Sequence, residues 1–136
     1  MKNNKPILLV EDDQVDVMSI KRALKDLNVT NRLYVTGNGE EAIKFLNKTE
    51  NELPCLILLD INMPRMNGIE FLKIAKHHNR LKLIPVVVLT SSEEEQDRMD
   101  SFELGIAGYM LKPDDYKKLV EVIRAIDLYW TVSELS

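Results

Sequence analysis

Pro6-Ile-Leu-Leu-Val10-Glu-Asp-Asp13 is the stretch that decides the fold. Its apolar residues do not alternate with polar ones, as expected of a strand covered on both faces, and they run directly into three acids. A strand buried on both sides needs helices on both sides, so the chain beyond it should return as a helix. Val15, Met18, Leu24 and Leu27 recur at the spacing such a helix requires.

The unit then repeats. Arg32-Leu-Tyr-Val-Thr36, Cys55-Leu-Ile-Leu-Leu59, Pro85-Val-Val-Val-Leu89 and Ala107 to Leu111 read as four more strands, with proline tolerable at the first residue of a strand. Asn38-Gly-Glu-Glu41 offers an N-cap and first-turn acids to a helix that turns Ala42, Phe45 and Leu46 inward. Gly68 to His78 forms the third helix through Ile69, Leu72 and Ala75. Ser91 or Ser92 caps a fourth, which carries Glu93, Glu94 and Glu95 near its positive end and stops at Gly105. Leu119, Val120, Ile123 and Ile126 supply the apolar face of a fifth helix running towards Trp130. Regular βα alternation predicts an α/β, doubly wound, five-stranded parallel sheet with helices on both faces.

Composition agrees with one such domain over 1–136. The chain has 136 residues, 45% of them apolar and 29% charged, with 18 Lys and Arg against 22 Asp and Glu for a net charge of −4. The apolar run Cys55–Leu59 is far too short for a bilayer span, and Met1-Lys-Asn-Asn-Lys5 leads into no signal-like segment. Cys55 is the single cysteine, so no internal disulfide can form. These features predict a cytoplasmic protein with no membrane partner, and the mild acidity speaks against nucleic acid.

In doubly wound sheets, ligands bind at the carboxyl ends of the strands. Here those ends carry Glu11-Asp12-Asp13, Asp60, Thr90-Ser91 and Lys112. If the first and third strands are neighbours, Glu11, Asp12 and Asp60 come within a few ångströms, and like charges that close need a cation or raised pKa values. An all-oxygen cluster suits a hard ion such as Mg²⁺, whose usual companion is phosphate. Lys112 can pair with Asp60 at rest and with a phosphoryl oxygen later, and Thr90 can donate to the same group. Asp60 heads the loop Ile61-Asn-Met-Pro-Arg-Met-Asn-Gly68, where a carboxylate can attack phosphorus and become an aspartyl phosphate.

With those residues in hand, the chain resembles the response-regulator receiver domains of two-component signalling. The likeness rests on Leu8-Leu-Val-Glu-Asp12, Leu58-Leu-Asp-Ile-Asn-Met-Pro64 with Asn67-Gly68, Val88-Leu-Thr90 and Leu111-Lys-Pro113, in order and at receiver-like separations. The resemblance implies a flavodoxin-like (βα)5 fold of strand order 2-1-3-4-5, with its core about 5–128 and an aromatic C-terminal end at 128–136. It implies Asp60 as phosphoacceptor, with Glu11, Asp12, Asp60 and the main-chain carbonyl of Asn62 as ligands to Mg²⁺. Thr90 and Lys112 would bind the phosphoryl group, Thr90 and Tyr109 would form the switch, and Asn62 and Ser92 would help set the dephosphorylation rate. It also offers a cis bond before Pro113, although most X-Pro bonds are trans.

The expected function follows from the resemblance. A single-domain response regulator, not an enzyme in its own right, would take a phosphoryl group from a histidine kinase's phosphohistidine. It would then switch the face formed by helix four, strand five and helix five. Output would pass by protein contact to a target, a histidine phosphotransfer protein or a second copy, with Tyr116, Tyr129 and Trp130 as candidate interface residues. The segment Leu56 to Lys112 and Leu128-Tyr-Trp130 look most like small receivers partnered with phytochrome-type and hybrid kinases. The alternative is a receiver-like interaction module that is never phosphorylated, against which the complete acid pair, Asp60, Thr90 and Lys112 argue.

Four decoys fall away on physical grounds. Gly37-Asn-Gly-Glu-Glu-Ala42 matches a dinucleotide fingerprint, yet Glu40 and Glu41 sit where pyrophosphate would dock. Glu11-Asp-Asp13 would repel a flavin phosphate, and the D-x-D of haloacid dehalogenase-like hydrolases is replaced by Asp60-Ile-Asn62. His77 and His78 adjoin on a helix and diverge by about 100°.

Overall fold

A computed structural model describes residues 4–48 and 50–132. Strands β1 (Ile7–Val10), β2 (Leu33–Thr36), β3 (Leu56–Leu59), β4 (Val86–Thr90) and β5 (Gly108–Leu111) form one sheet in the order β2-β1-β3-β4-β5. Every pairing is parallel, with Val10 opposite both Thr36 and Leu59. Helices α1 (Gln14–Asp26), α2 (Gly39–Asn47), α3 (Gly68–Lys76), α4 (Glu95–Glu103) and α5 (Tyr116–Val132) connect or follow the strands, with a 3₁₀ turn at Leu81–Leu83 before β4. The expected flavodoxin-like strand order is the one observed. Residues 133–136 of the expected aromatic C-terminal end lie outside the described residues.

The unalternated apolar runs have a direct structural reading, because each central strand feeds two cores. Ile7, Leu9, Leu56, Leu58, Val87 and Leu89 point to the layer of α1 and α5, where they meet Val17, Ile20, Leu24, Ile123 and Ile126. Leu8, Val10, Ile57, Leu59, Val86 and Val88 point the other way, to Ala42 and Leu46 of α2 and Phe71, Leu72 and Ala75 of α3. Period two within a wholly apolar run thus divides the strand between two helix layers.

Several local expectations change. Helix α1 buries Val17, Ile20, Ala23 and Leu24, whereas Val15 and Met18 are 72% and 68% exposed. Both periodic sets fit a helix, but the set that packs is the one the sheet covers, and Val15 lies in the first turn over the carboxyl edge. Helix α4 begins later than the serines suggest: Glu94 is its N-cap, without a side-chain hydrogen bond, and neither Ser91 nor Ser92 caps it. Ser92 Oγ instead donates to Asp97 and accepts the amide of Glu94, the N-cap residue itself, so it braces the turn before the helix. Gly105, at φ +83°, does end that helix in the left-handed region that glycine enters readily.

Trp130 is corrected as an interface candidate. It is 5% exposed and packs in the α1–α5 core, because the α5 face of Leu119, Ile123 and Ile126 continues through it. The cis bond before Pro113 is corrected as well. No cis peptide bond occurs among the described residues, in keeping with the trans preference of about 0.5–1 kcal/mol for X-Pro bonds.

Candidate functional site

Parallel pairing brings the ends of four strands to one edge. Glu11 follows β1 and is 1% exposed; Asp60 follows β3 and is 4% exposed; Thr90 ends β4 fully buried; Lys112 follows β5. Register alone makes Glu11 and Asp60 neighbours, since Val10 lies opposite Leu59 and the Asp60 N–H donates to the Val10 carbonyl at 3.0 Å.

Carboxylate oxygens of Glu11, Asp12 and Asp60 lie within 4.8 Å of one another. Asp12 is exposed while the other two are buried, so the cluster is a cleft with one wet side. Asp13, next in the acid run, is structural, for its side chain accepts from the Val15 and Asp16 amides and caps α1.

The Asp60 carboxylate has a partner on each oxygen. Its Oδ1 accepts the Thr90 hydroxyl at 2.6 Å and the Asn62 amide at 3.3 Å, and its Oδ2 accepts Lys112 Nζ at 3.3 Å. The loop that follows is held by close backbone approach. Gly68 N–H donates to the Ile61 carbonyl, and a Cβ on Gly68 would stand 2.5 Å from the Asp60 carbonyl oxygen. Only glycine fits there.

Lys112 serves more acids than expected. Its Nζ lies 2.6 Å from Glu11 Oε1 and 2.8 Å from Asp16 Oδ2, both closer than Asp60. Burial alone would lower its pKa, but the hydrogen bonds to Asp16 and Glu11 more than offset this and raise it above the usual lysine range. Glu11 moves in the unusual direction for an ion-paired acid. Burial pushes its carboxyl up to about 7, and the hydrogen bond from Lys112 only partly opposes this. Three carboxylates, those of Glu11, Asp16 and Asp60, therefore share the Lys112 ammonium, and a fourth, Asp12, stands beside two of them. A cleft of oxygen donors with surplus negative charge is the setting a hard divalent cation would relieve.

On the far side, Ser92 joins the site to α4 and β5. Its amide donates to Thr90 Oγ1 at 3.2 Å, its hydroxyl to Asp97 at 2.6 Å, and its carbonyl accepts the Tyr109 hydroxyl at 2.9 Å. Tyr109 is half-buried, its ring packed beside the α2–α3 core.

The remaining candidates sit elsewhere. Tyr116 lies at the α1–α5 seam, its hydroxyl on Asp26 at 2.7 Å and its ring under the Arg22 guanidinium at 4.2 Å. Tyr129 is half exposed, edge-on to Trp130. Cys55 is buried and free. Sequence reasoning missed Asp16, which reads as an ordinary first-turn helix acid. The available signal was topological: α1 and the end of β5 lie close together in this fold, and Lys112 has donors to spare.

Comparison with known proteins points one way. The model of the response regulator receiver domain matches residues 7–124. The response regulator Rcp1 of Synechocystis is 38% identical over 130 residues, 93% of this chain and 88% of that protein. The crystal structure of the phosphorylated cyanobacterial phytochrome response regulator RcpA superposes with a TM-score of 0.89 at 34% identity, covering 96% of each chain. That of the Mn²⁺-bound form of Rcp1 gives 0.87 at 36% identity over 95% of this chain and 96% of that one. Among the described residues no helix is long and apolar enough to cross a membrane.

Proposed function

This chain belongs to the response regulator receiver domain family of two-component signalling, and we propose that it accepts a phosphoryl group on Asp60 from the phosphohistidine of a histidine kinase. One observation carries the reading: a buried carboxylate, Asp60, held between a hydroxyl and an ammonium beside two further acids.

In the proposed transfer an Asp60 carboxylate oxygen forms the new O–P bond as the P–N bond to the kinase imidazole breaks, the electron pair staying on nitrogen. Glu11, Asp12, Asp60 and the Asn62 carbonyl would hold Mg²⁺; the Mn²⁺-bound form of Rcp1 supports a divalent ion in such a cleft. When bound, the ion supplies positive charge against the phosphoryl oxygens. Thr90 turns its hydroxyl from Asp60 to one phosphoryl oxygen, and Lys112 neutralises another.

Movement of Thr90 pulls Ser92 through its amide and so disturbs the Tyr109 and Asp97 contacts. The output is a shifted population of the α4–β5–α5 face. The chain itself promotes phosphoryl uptake and loss, with Asn62 and Ser92 flanking the phosphoryl group. Likeness to phytochrome response regulators favours a phytochrome-type kinase as donor, acting in the cytoplasm. Downstream, the switched face would meet a target protein, a histidine phosphotransfer protein or a second copy.

Incubation with acetyl phosphate and Mg²⁺ followed by intact mass measurement tests the chemistry. The expected result is the mass of one phosphoryl group on the wild type and none on Asp60→Asn. An unmodified wild type in a folded, Mg²⁺-binding sample would overturn it.

A further inference from the structure

The ammonium of Lys112 presents a problem that a cation would make acute. Two of its three carboxylate partners, Glu11 and Asp60, belong to the acidic cluster, and those carboxylates cannot be given wholly to both an ammonium and a divalent ion. An ammonium released from both would sit, 13% exposed, beside a doubly charged ion. The third partner is different in kind. Asp16 stands outside the cluster, on the first turn of α1, and its carboxylate is 36% exposed.

Its placement is firm. The Asp16 amide donates to the Asp13 side chain at 3.1 Å, which fixes the backbone of the first turn. From there Oδ2 reaches Lys112 Nζ at 2.8 Å, across the groove between α1 and the chain that follows β5. That groove, of about 210 Å³, is lined by Asp16, Lys112, Pro113 and Tyr116 and opens to solvent. Asp114 and Asp115 line the same groove, but among the described residues Asp16 is the acid outside the cluster that already pairs with the ammonium and can hold it while Glu11 and Asp60 turn to other work.

We propose that Asp16 is a positioning residue for Lys112: it retains the ammonium at the rim of the cleft when a divalent cation claims Glu11 and Asp60, and keeps it within reach of a phosphoryl oxygen on Asp60. The inference rests on the cation-dependent reading above. Without Asp16 the ammonium has only the cluster acids as charged partners among the described residues and competes with the cation for them.

A double-mutant cycle on the full chain tests this, with Mg²⁺ dissociation constants measured by titration calorimetry. The four proteins are wild type, Asp16→Asn, Lys112→Met and the pair. Removing the Asp16 charge weakens Mg²⁺ binding in either background by simple Coulomb attraction. If Asp16 acts through Lys112, the weakening with Lys112 present exceeds that in the Lys112→Met background by about fivefold, a coupling ordinary for residues in contact. Asp16→Glu, which keeps the charge, recovers most of the affinity. Melting curves in EDTA verify folding, and Asp16→Ser replaces Asp16→Asn should the latter fail to fold. Equal weakening in the two backgrounds, or none, overturns the proposal while leaving phosphoacceptor chemistry standing. A wild type that binds no Mg²⁺ removes the cation-dependent reading itself, and the positioning role with it.

Discussion

Two helices of equal length follow the two strands whose ends meet at Asp60, and they are built to opposite specifications. Helix α3 has a full capping box, in which Asn67 accepts the Glu70 amide and Glu70 accepts the Asn67 amide, and it buries Gly68, Phe71, Leu72 and Ala75. Helix α4 has no side-chain cap, and among its nine residues only Ser101 is buried. Met99 and Phe102 are about half exposed. The α3 side therefore forms a fixed floor under Asp60, tightened by the close approach at Gly68. The α4 side rests on the Ser92 contacts and little apolar burial, so it opens at lower free energy. A site that must hold a phosphoryl group and also report it needs both kinds of support.

The comparison breaks first at the core. Phe71→Ala should lower stability to urea by about 3–5 kcal/mol, and Phe102→Ala by about 0.5 kcal/mol or less. Equal losses would mean that α4 is as well anchored as α3.

Next comes pH, through Glu11 on the floor side. Its folded carboxyl titrates near 7 and its unfolded one near 4.5, so between these values the folded state binds the extra proton. The stabilisation is fully present below pH 4.5 and is lost as pH rises through 7. In EDTA, unfolding free energy should therefore fall across that window, by at most about 3 kcal/mol. Glu11→Gln should flatten the slope, and a wild type whose stability rises with pH there would refute the assignment.

Capping sharpens the contrast at a smaller scale. Asn67→Ala should cost about 1 kcal/mol, whereas Glu94→Asp, which gives α4 the side-chain cap it lacks, should add about 0.5 kcal/mol, both read from denaturant midpoints. The finest test is amide hydrogen exchange: α4 amides should exchange by local opening well before those of α3, and matched protection would erase the distinction.

How much is readable from the chain alone follows the same divide. Helix α2 announces itself through Asn38, because a side chain that accepts an amide three residues on is a local event, and the structure shows the same event at Asn67, where α3 begins. The start of α4 is misleading because its serines look like caps, and only the fold shows Ser92 bonded to Asp97. The face of α1 is ambiguous because apolar residues lie on both sides of it, and choosing between them requires knowing where the sheet stands. Trp130 is ambiguous for a related reason: an aromatic near a helix end can face a partner or finish a core.

By itself the sequence determined the alternation of strands and helices, the burial of the central strands on both faces, and the identity of the acids, hydroxyl and lysine that end those strands. These depend on period, composition and order along the chain. Only the tertiary structure decided which of several acids Lys112 serves, and at what distance. That choice is made by helix placement across the groove, through side chains 96 residues apart in the case of Asp16 and Lys112, and no local pattern encodes such a contact.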